Sequence, residues 1–490
     1  MLQLFYESAR QSVRFPDLIP RRQTVVQFDA TQTSSDGGAV LLKGCDQALN
    51  LSHSLANCIA DPRTPQRVQH SVEDRIRQRV FSLATGYEDR NDADRLRSDP
   101  VFKLLLDRSP AQDPDLASQP TLSRFENSVS APELLKMGAA LARQILLHQR
   151  QRHRSARSIT IDADPTCDPT HGQQQQSLFN GFYDTNCYLP QLTFVSFDND
   201  PEQFVVAGAL CPGTAPAANG LLPVLKRLVP LLGEHFPTAR LRLRLDAGFQ
   251  DSRVLDWVDA EGLELVLAVA TNPVLQRHSA ELEQQARKAF DQWQAQQQAY
   301  EEQLAQRQQG PLDGQEVPQP PPSPKPRFDE VLYRAGSWGR RWRVLMKAEM
   351  VSHPGRSPRM NVRYVATNVQ GSARGIYERI YCKRGDVENR IKGLKAAMGL
   401  DRTSCHRFLA NQLRVLLSVA AFALLQELRG RAAGTAFART QATGLQLHLL
   451  KLGARVRHSS RRVVLHLPQT APAASAWLAI ATNLGALLGT

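Results

Sequence analysis

The chain has 490 residues, of which 42% are hydrophobic and 22% are charged. That length is enough for about two to four domains with a substantial core. The proportions of hydrophobic and charged residues exclude a disordered or fibrous chain. The formal net charge of +13 indicates a polyanionic partner, although a basic composition does not by itself identify which one.

The seven cysteines are scattered along the chain, and no two of them have the CxxC spacing. We therefore expect reduced thiols in a cytoplasmic protein and neither a disulfide framework nor a zinc site. Residues 1–17 show no signal-peptide pattern. Two apolar stretches, residues 408–428 and 471–488, are interrupted by polar side chains or are rich in alanine, so we expect buried helices and no membrane span.

Residues 1–150 are predicted to form a mostly helical N-terminal region. A turn with the sequence SDGG at 35–38 precedes an apolar run, a helix start stands at Ser71, and further helices begin near residues 121 and 132. The region is rich in arginine. It is either a surface that contacts nucleic acid or a helical scaffold that touches no base, and both interpretations stay open.

Residues 151–270 change to patterns that are typical of an α/β core. Segment 157–165 alternates apolar and polar residues and contains Asp162 and Asp164 on one face near its end. The next alternating strand that ends in an acid is 240–246, with Asp246. The remaining predicted elements are a polar loop at 166–188, strands at 189–197 and 203–210, helices at 220–236 and 252–261, and a buried strand at 263–270.

This order of three strands, a helix, a strand, a helix and a strand is that of a ribonuclease-H-like fold. In that fold the first and fourth strands lie side by side, so the acids at their ends meet. We assign residues 151–270 together with 376–430 to this core. Residues 271–375 are predicted to be an inserted subdomain with strand-like segments at 333–347 and 360–367, and Gly336 and Gly339 are predicted to be turn points.

Two further regions allow alternatives. The Gln-rich and Pro-rich stretch at 280–325 is either a projecting arm or a flexible surface loop. Residues 431–490 are predicted to hold a basic strand and a helix. The basic turn at 455–462 either contacts a nucleic-acid backbone or is simply solvated.

The segment 381–395 contains the highest density of candidate functional residues. Wound as one α-helix, it places Tyr381, Arg384, Glu388 and Lys395 within about 60° of arc. A carboxylate surrounded by cations and a hydroxyl suits a group that holds a metal ion against a phosphate. The alternative is a solvated helix face with an Arg384–Glu388 pair. A second stripe, about a quarter turn away, is apolar and suited to face a core: Val387, Ile391, Leu394 and Met398.

This spacing resembles the Y-R-E-K signature of DDE transposases from bacterial insertion sequences. Asp246 with the following Ala-Gly-Phe resembles the second-aspartate motif of these enzymes, and Asp164 with Pro-Thr resembles the first. The long interval between Asp246 and Glu388 is similar to the β-rich insertion of that branch. The SDGG turn and the IDAD sequence at 161–164 further resemble the IS thirteen-eighty family, and the resemblance covers nearly the whole chain.

The resemblance implies cleavage at transposon ends and strand transfer into target DNA. Asp164, Asp246 and Glu388 would hold Mg²⁺, with Mn²⁺ as a substitute, and Asp162 is the alternative to Asp164 as first acid. Two such ions about 3.5–4 Å apart would assist the attacking and leaving oxygens. The side chains implied in DNA binding are Tyr381, Arg384, Lys392 and Lys395.

The implied partner is double-stranded DNA, both the terminal inverted repeats and the target, with a homodimer in the synaptic complex. Residues 1–150 are then the candidate for binding the DNA ends. Two other functions remain open: a metal-dependent nuclease of the same fold that does not transpose, and a non-catalytic DNA-binding protein derived from a transposase. A basic RNA-binding protein is a further alternative, but no RNA-recognition signature supports it.

Overall fold

A computed structural model describes residues 12–19, 22–198, 200–308, 319–353 and 355–487. The chain divides into two compact units. The first contains the described parts of 1–148, 173–175 and 393–490, and the second those of 149–172 and 176–392. The N-terminal and C-terminal segments thus share one unit. The finer division into four functional regions stays a prediction.

The elements are numbered in chain order. The helices are α1 (Val40–Leu49), α2 (Leu51–Ala56), α3 (Val72–Ala84), α4 (Ala93–Leu96), α5 (Pro100–Leu105), α6 (Gln119–Glu126), α7 (Ala131–Arg152), α8 (Ala217–His235), α9 (Ser252–Ala260), α10 (Pro273–Gln308), α11 (Ala373–Arg379), α12 (Gly385–Met398), α13 (Phe408–Arg431), α14 (Ala442–Leu445) and α15 (Ala474–Asn483). The strands are β1 (Val13–Ile19), β2 (Arg22–Val26), β3 (Thr33–Ser34), β4 (Ser158–Pro165), β5 (Asp168–Pro169), β6 (Leu178–Asn180), β7 (Thr185–Tyr188), β8 (Gln191–Phe197), β9 (Phe204–Ala209), β10 (Arg240–Leu245), β11 (Glu264–Val269), β12 (Arg327–Tyr333), β13 (Trp342–His353), β14 (Arg356–Thr367), β15 (Ala454–His458) and β16 (Val463–His466).

The first unit is mainly helical, as predicted for residues 1–150. Helix α3 begins at the predicted position, where Ser71 and Asp74 form a reciprocal capping box. Helix α13 runs through the core. Of the helices in the described ranges, α13 is the one that is long and apolar enough to span a membrane, but 83% of its apolar window is buried inside the protein. Such burial is that of a core helix.

The SDGG turn docks against the C-terminal part of the same unit. Residues 37–39 form a 3₁₀ turn, and the amide of Gly37 donates to the carbonyl of Leu452 at 2.7 Å. A Cβ atom on Gly38 would lie 1.8 Å from the carbonyl oxygen of Leu449. The buried carboxylate of Asp36 pairs with Lys451 at 2.8 Å. The glycines are therefore needed for close backbone approach.

The second unit is built on an eight-stranded mixed sheet with the order β12-β13-β14-β11-β10-β4-β8-β9. Strands β4, β10 and β11 run parallel, and the other neighbours are antiparallel. The mixed α/β class predicted from the sequence is confirmed. The first and fourth strands of the core, β4 and β10, are adjacent, as the ribonuclease-H-like prediction required.

The region predicted as an inserted subdomain contributes its strands to the same sheet. Strand β14 pairs directly with β11, and β13 and β12 extend the sheet outward. Residues 334–341 form the turn that joins β12 to β13, and both predicted turn points, Gly336 and Gly339, lie in it. Helix α10 accounts for most of the Gln-rich stretch, whereas much of the Pro-rich stretch (309–318) lies outside the described residues.

The alternation in β10 has a physical explanation. Leu243 and Leu245 are buried in the core. The arginines on the other face meet acids from the neighbouring strands: Arg242 pairs with Glu264 on β11, and Arg244 pairs with Asp162 on β4. Both faces of the strand are thereby satisfied, which fixes the register that positions the residues after it.

Candidate active site

Two aspartates lie at matching positions at the ends of two adjacent parallel strands. Asp162 on β4 lies opposite Arg244 on β10 in the strand register. Since side chains two residues apart share a face, Asp164 and Asp246 emerge next to each other one step further along. Asp246 also begins a 3₁₀ turn and accepts the amide N–H of Gly248 at 3.0 Å. This bond fixes the direction of its carboxylate.

The segment predicted as one helix is divided. Residues 381–384 form a 3₁₀ turn, and α12 begins at Gly385. The prediction of a continuous α-helix from Tyr381 is therefore wrong. The angular position of Tyr381 was calculated for an α-helix, so it does not apply to a residue in the 3₁₀ turn. Glu388 lies in the first turn of α12. The predicted apolar stripe is confirmed as core, because all four of its members are buried: Val387, Ile391, Leu394 and Met398.

The three acids converge on one guanidinium group. Nη2 of Arg384 lies 2.8 Å from Oδ1 of Asp164 and 3.1 Å from Oδ2 of Asp246. Nη1 lies 3.8 Å from Oε1 of Glu388. Arg384 is only 9% exposed, whereas the Glu388 side chain is 56% exposed. The structure therefore brings together the three acids that were singled out from sequence, around an arginine of the same motif.

The acids affect one another electrostatically. Burial raises the pKa of Asp164 to about 6; Arg384 opposes this rise, while the negative charges of Asp246 and Glu388 add to it. Tyr381 packs against Tyr377, with ring centroids 5.3 Å apart. Burial raises the pKa of the Tyr381 phenol; the charge of Arg384 opposes this rise, and that of Asp246 adds to it. The hydroxyl is therefore protonated at neutral pH and available as a hydrogen-bond donor.

Asp162 has a different environment from Asp164. It is fully buried, and its carboxylate accepts two bonds of 2.7 Å from Nε and Nη2 of Arg244. Nη1 of Arg244 donates to the carbonyl of Ile380 at 2.6 Å, immediately before the 3₁₀ turn that carries Arg384. Burial raises the pKa of Asp162, and Arg244 opposes the rise. The carboxylate of Asp162 is engaged, while that of Asp164 faces the other acids.

Arg244 was not identified from the sequence as part of the site. The sequence did contain a signal for Arg244, because each of the two strands carries a charged residue two positions before its terminal acid. With β4 and β10 side by side, Asp162 and Arg244 had to face each other. The polar loop predicted at 166–188 similarly concealed three short strands, β5, β6 and β7, which form a small sheet.

The two predicted lysines lie on α12, in the turns after Glu388. Lys392 is exposed, one turn after Glu388. Lys395 is half-buried, and its Nζ lies 3.7 Å from Asp401.

The residues of this site suit a hard divalent cation by chemistry. Within the described residues, no group of three His, Cys, Asp or Glu side chains forms a ready-made metal site. Arg384, however, already supplies a positive charge at the point where the three carboxylates meet. Carboxylate oxygens are the ligands that Mg²⁺ and Mn²⁺ prefer. A metal ion would fit this donor set after Arg384 turns away from it.

A family model described as "Transposase DDE domain group 1" matches residues 17–488. No curated protein matches the chain. Among solved structures, a cryo-EM structure of a piggyBac transposase synaptic complex with hairpin DNA is similar, with 10% sequence identity and a TM-score of 0.39. The similarity covers 90% of this chain and 82% of that one.

Proposed function

The chain belongs to the transposase DDE domain family, and we propose that it catalyses metal-dependent DNA cleavage at transposon ends followed by strand transfer into target DNA. The observation that carries this proposal is the convergence of Asp164, Asp246 and Glu388 on Arg384. Three carboxylates from two strand ends and a helix, gathered around a cation, are a suitable set of ligands for divalent metal ions.

In the proposed site, Asp164, Asp246 and Glu388 hold the metal ions. Metal ions held there would make the attacking water or hydroxyl more acidic and would stabilise the leaving oxygen of a displacement at phosphorus. In the first step, water attacks the phosphorus and the bond to the 3′ oxygen breaks, which releases a 3′ hydroxyl. In the second step, that hydroxyl attacks a phosphodiester of the target strand and displaces its 3′ oxygen.

The side chains around the acids then have separate roles. Arg384 leaves the carboxylates and binds a phosphate oxygen, for which its planar group is suited. The protonated Tyr381 hydroxyl donates a hydrogen bond to a phosphate. Lys392 and Lys395 contact the DNA backbone. The grouping of Tyr381, Arg384 and Glu388 supports membership of the Y-R-E-K branch and of the IS thirteen-eighty family.

Asp164 is our choice for the first catalytic acid. Its carboxylate faces Asp246 and Glu388, whereas both oxygens of Asp162 are already bonded by Arg244. We assign Asp162 a positioning role, because its partner Arg244 also holds the carbonyl of Ile380. The DNA partners proposed are the terminal inverted repeats and the target duplex, and the joining of two ends calls for a dimer in the synaptic complex.

The test uses the wild-type protein and duplex DNA carrying the terminal sequences of the element that encodes it. We expect cleavage at the ends and joining to a target plasmid with Mg²⁺ or Mn²⁺, and neither in EDTA. Cleavage without joining would identify a nuclease of the same fold. Specific binding of the ends with no cleavage in either metal would identify a non-catalytic DNA-binding protein and overturn the proposal.

A further inference from the structure

A polar cavity of about 440 Å³ lies within the second unit. Strands β4, β8 and β10 form its floor, and the segment from Gln370 to the first turn of α12 forms its other wall. Pockets for small molecules measure about 300–1,000 Å³, so the cavity has the size of such a site. None of the three acids of the candidate active site is among the described residues that line it. We name it the sheet-face cavity, and the lining residues that carry its chemistry are Thr160, Ser196, Asp198, Arg379 and Lys383.

The floor of the sheet-face cavity is polar, although it belongs to central strands of the sheet. The strand register places Ser196, Thr160 and Arg242 side by side on β8, β4 and β10. Thr160 is 7% exposed and Ser196 is 9% exposed, and among the described residues neither hydroxyl has a hydrogen-bond partner. Because a buried polar group costs free energy unless it is bonded, this floor suits a ligand that forms hydrogen bonds. The residues that alternate with the floor on β4 and β10 face the other side of the sheet, where they are apolar and buried: Ile159, Ile161, Leu243 and Leu245.

Two cations on the helical wall of the cavity are unpaired. Arg379 ends α11 and Lys383 lies in the 3₁₀ turn that follows, and neither forms an ion pair within the described ranges. The arginines of the floor differ, because acids of the sheet neutralise them. A Cβ on Gly375 would lie 2.8 Å from Nη2 of Arg379, so the glycine leaves room for the guanidinium beside α11. Two positive charges are therefore available to a ligand.

The acids that follow β8 supply acceptors to the same cavity. Asp198 accepts the amide N–H of Ser158 at 2.8 Å, and Asp200 accepts that of Glu202 at 2.8 Å. These bonds orient both carboxylates, whose oxygens each have two lone pairs and can still accept from hydroxyl groups. A third lining acid, Asp386 on α12, is exposed to solvent. The lining thus combines unpaired cations, buried hydroxyls and oriented carboxylates.

We propose that the sheet-face cavity is a binding site for a small phosphate monoester that carries hydroxyl groups. Arg379 and Lys383 bind the phosphate, which has about 1.5 to 2 negative charges at neutral pH and favours guanidinium and ammonium donors. Thr160, Ser196 and Asp198 form hydrogen bonds with the hydroxyl groups of the ligand. Nucleotides and sugar phosphates share this chemistry. The inference goes beyond the proposed function and does not depend on it.

Duplex DNA fits the sheet-face cavity less well. Each phosphodiester of DNA carries one negative charge, and a deoxyribose inside a strand has no free hydroxyl group. The hydroxyls of the floor are buried at the bottom of a cavity that has the size of one small molecule. A duplex cannot reach them, whereas a small ester can.

Isothermal titration calorimetry of the full chain in EDTA tests this proposal. EDTA removes divalent ions, so that a phosphate cannot bind through a metal at the candidate active site. The probes are ribose 5-phosphate and adenosine 5′-monophosphate, with ribose, adenosine and inorganic phosphate for comparison. We expect at least one ester to bind more tightly than all three comparison compounds. A preference between the two esters then identifies whether a sugar phosphate or a nucleotide is the ligand.

Three variants locate the binding. Arg379→Gln removes one phosphate donor and should weaken binding about 10-fold, as expected for one lost charge-assisted hydrogen bond. Thr160→Val replaces a buried hydroxyl by a methyl group and should weaken binding about 3-fold to 10-fold. Arg374→Gln is the matched control, because it removes the same charge from the same helix at a residue that pairs with Glu378; its affinity should equal that of the wild type.

Several results would overturn the inference. One is the absence of binding of either ester at millimolar concentration, including the case in which a 5′-phosphorylated oligonucleotide binds through Arg379 instead. Another is ester binding that Arg379→Gln and Thr160→Val both leave within about twofold of the wild type. Inorganic phosphate bound as tightly as the esters would identify an adventitious ion only, and loss of ester binding in Glu388→Gln would place the ligand at the acids. Metal-dependent cleavage by the wild type is measured separately, so these results leave the proposed function standing.

Discussion

The buried pair of Asp162 and Arg244 allows the sharpest prediction about stability. Asp162 is 0% exposed and Arg244 is 3% exposed, and two bonds of 2.7 Å join them. Asp162→Asn removes the negative charge and leaves a buried guanidinium without its counter-ion. Breaking one side of such a pair costs about 3–5 kcal/mol. We expect the second unit to lose stability by that amount in Asp162→Asn.

Replacing both partners should cost less than replacing one. Asp162→Val/Arg244→Met keeps a similar total volume, and a buried ion pair exchanged for apolar groups is often neutral in stability. The double variant still loses the bond from Arg244 to the Ile380 carbonyl, which leaves a buried acceptor and costs about 1–3 kcal/mol. It should therefore be more stable than Asp162→Asn, yet cleave DNA poorly, because the turn that carries Arg384 is no longer held.

Urea denaturation followed by tryptophan fluorescence measures these changes. Four of the five tryptophans lie in the second unit, so the signal reports mainly on it: Trp257, Trp293, Trp338 and Trp342. Asp259→Asn is the control, because Asp259 pairs with Arg340 on the surface, where a pair is worth under about 1 kcal/mol. A loss below about 1 kcal/mol in Asp162→Asn, or a double variant less stable than the single one, would refute the reasoning.

Two other outcomes follow from the described contacts. Arg384→Gln removes the cation shared by Asp164, Asp246 and Glu388, so Mg²⁺ or Mn²⁺ should raise the melting temperature of this variant more than that of the wild type; an equal rise would show that Arg384 does not compete with the metal. Gly38→Ala places a Cβ 1.8 Å from a backbone oxygen and should lower the stability of the first unit by about 1–3 kcal/mol in thermal unfolding, and an unchanged melting temperature would contradict that packing.

The sequence predicts the site better than it predicts its surroundings. Acids at the ends of alternating strands can be recognised in the sequence, whereas the adjacency of β4 and β10 is inferred from the ribonuclease-H-like fold and is not shown by the sequence itself. The pairing of Asp162 with Arg244 is different, because these residues are 82 positions apart in the sequence and meet only through the register of their two strands. Register is set by packing across the whole sheet, which periodicity in one segment does not contain.

Two other features escape prediction for related reasons. The residues before Gly385 tighten into a 3₁₀ turn, in which the amides that begin α12 find local partners, and a helical projection from Tyr381 cannot show this. The hairpin at 178–188 is short and has weak alternation. The hairpin is held by the hydrogen bond from Asn180 to the carbonyl of Gly213 and by the pairing of β7 with β5. Both contacts join residues that are distant in sequence, and no regular sequence pattern indicates them.

Glu388 provides the most direct test of the central claim that the three acids form a metal-dependent catalytic centre. Glu388→Gln keeps the shape of the side chain but removes its charge. We expect cleavage of end-sequence DNA by this variant in Mg²⁺ to fall below detection, while binding of the same DNA stays within about twofold of the wild type. Glu378→Gln, the same change at an exposed residue paired with Arg374, should cleave normally. Normal cleavage by Glu388→Gln would contradict the account.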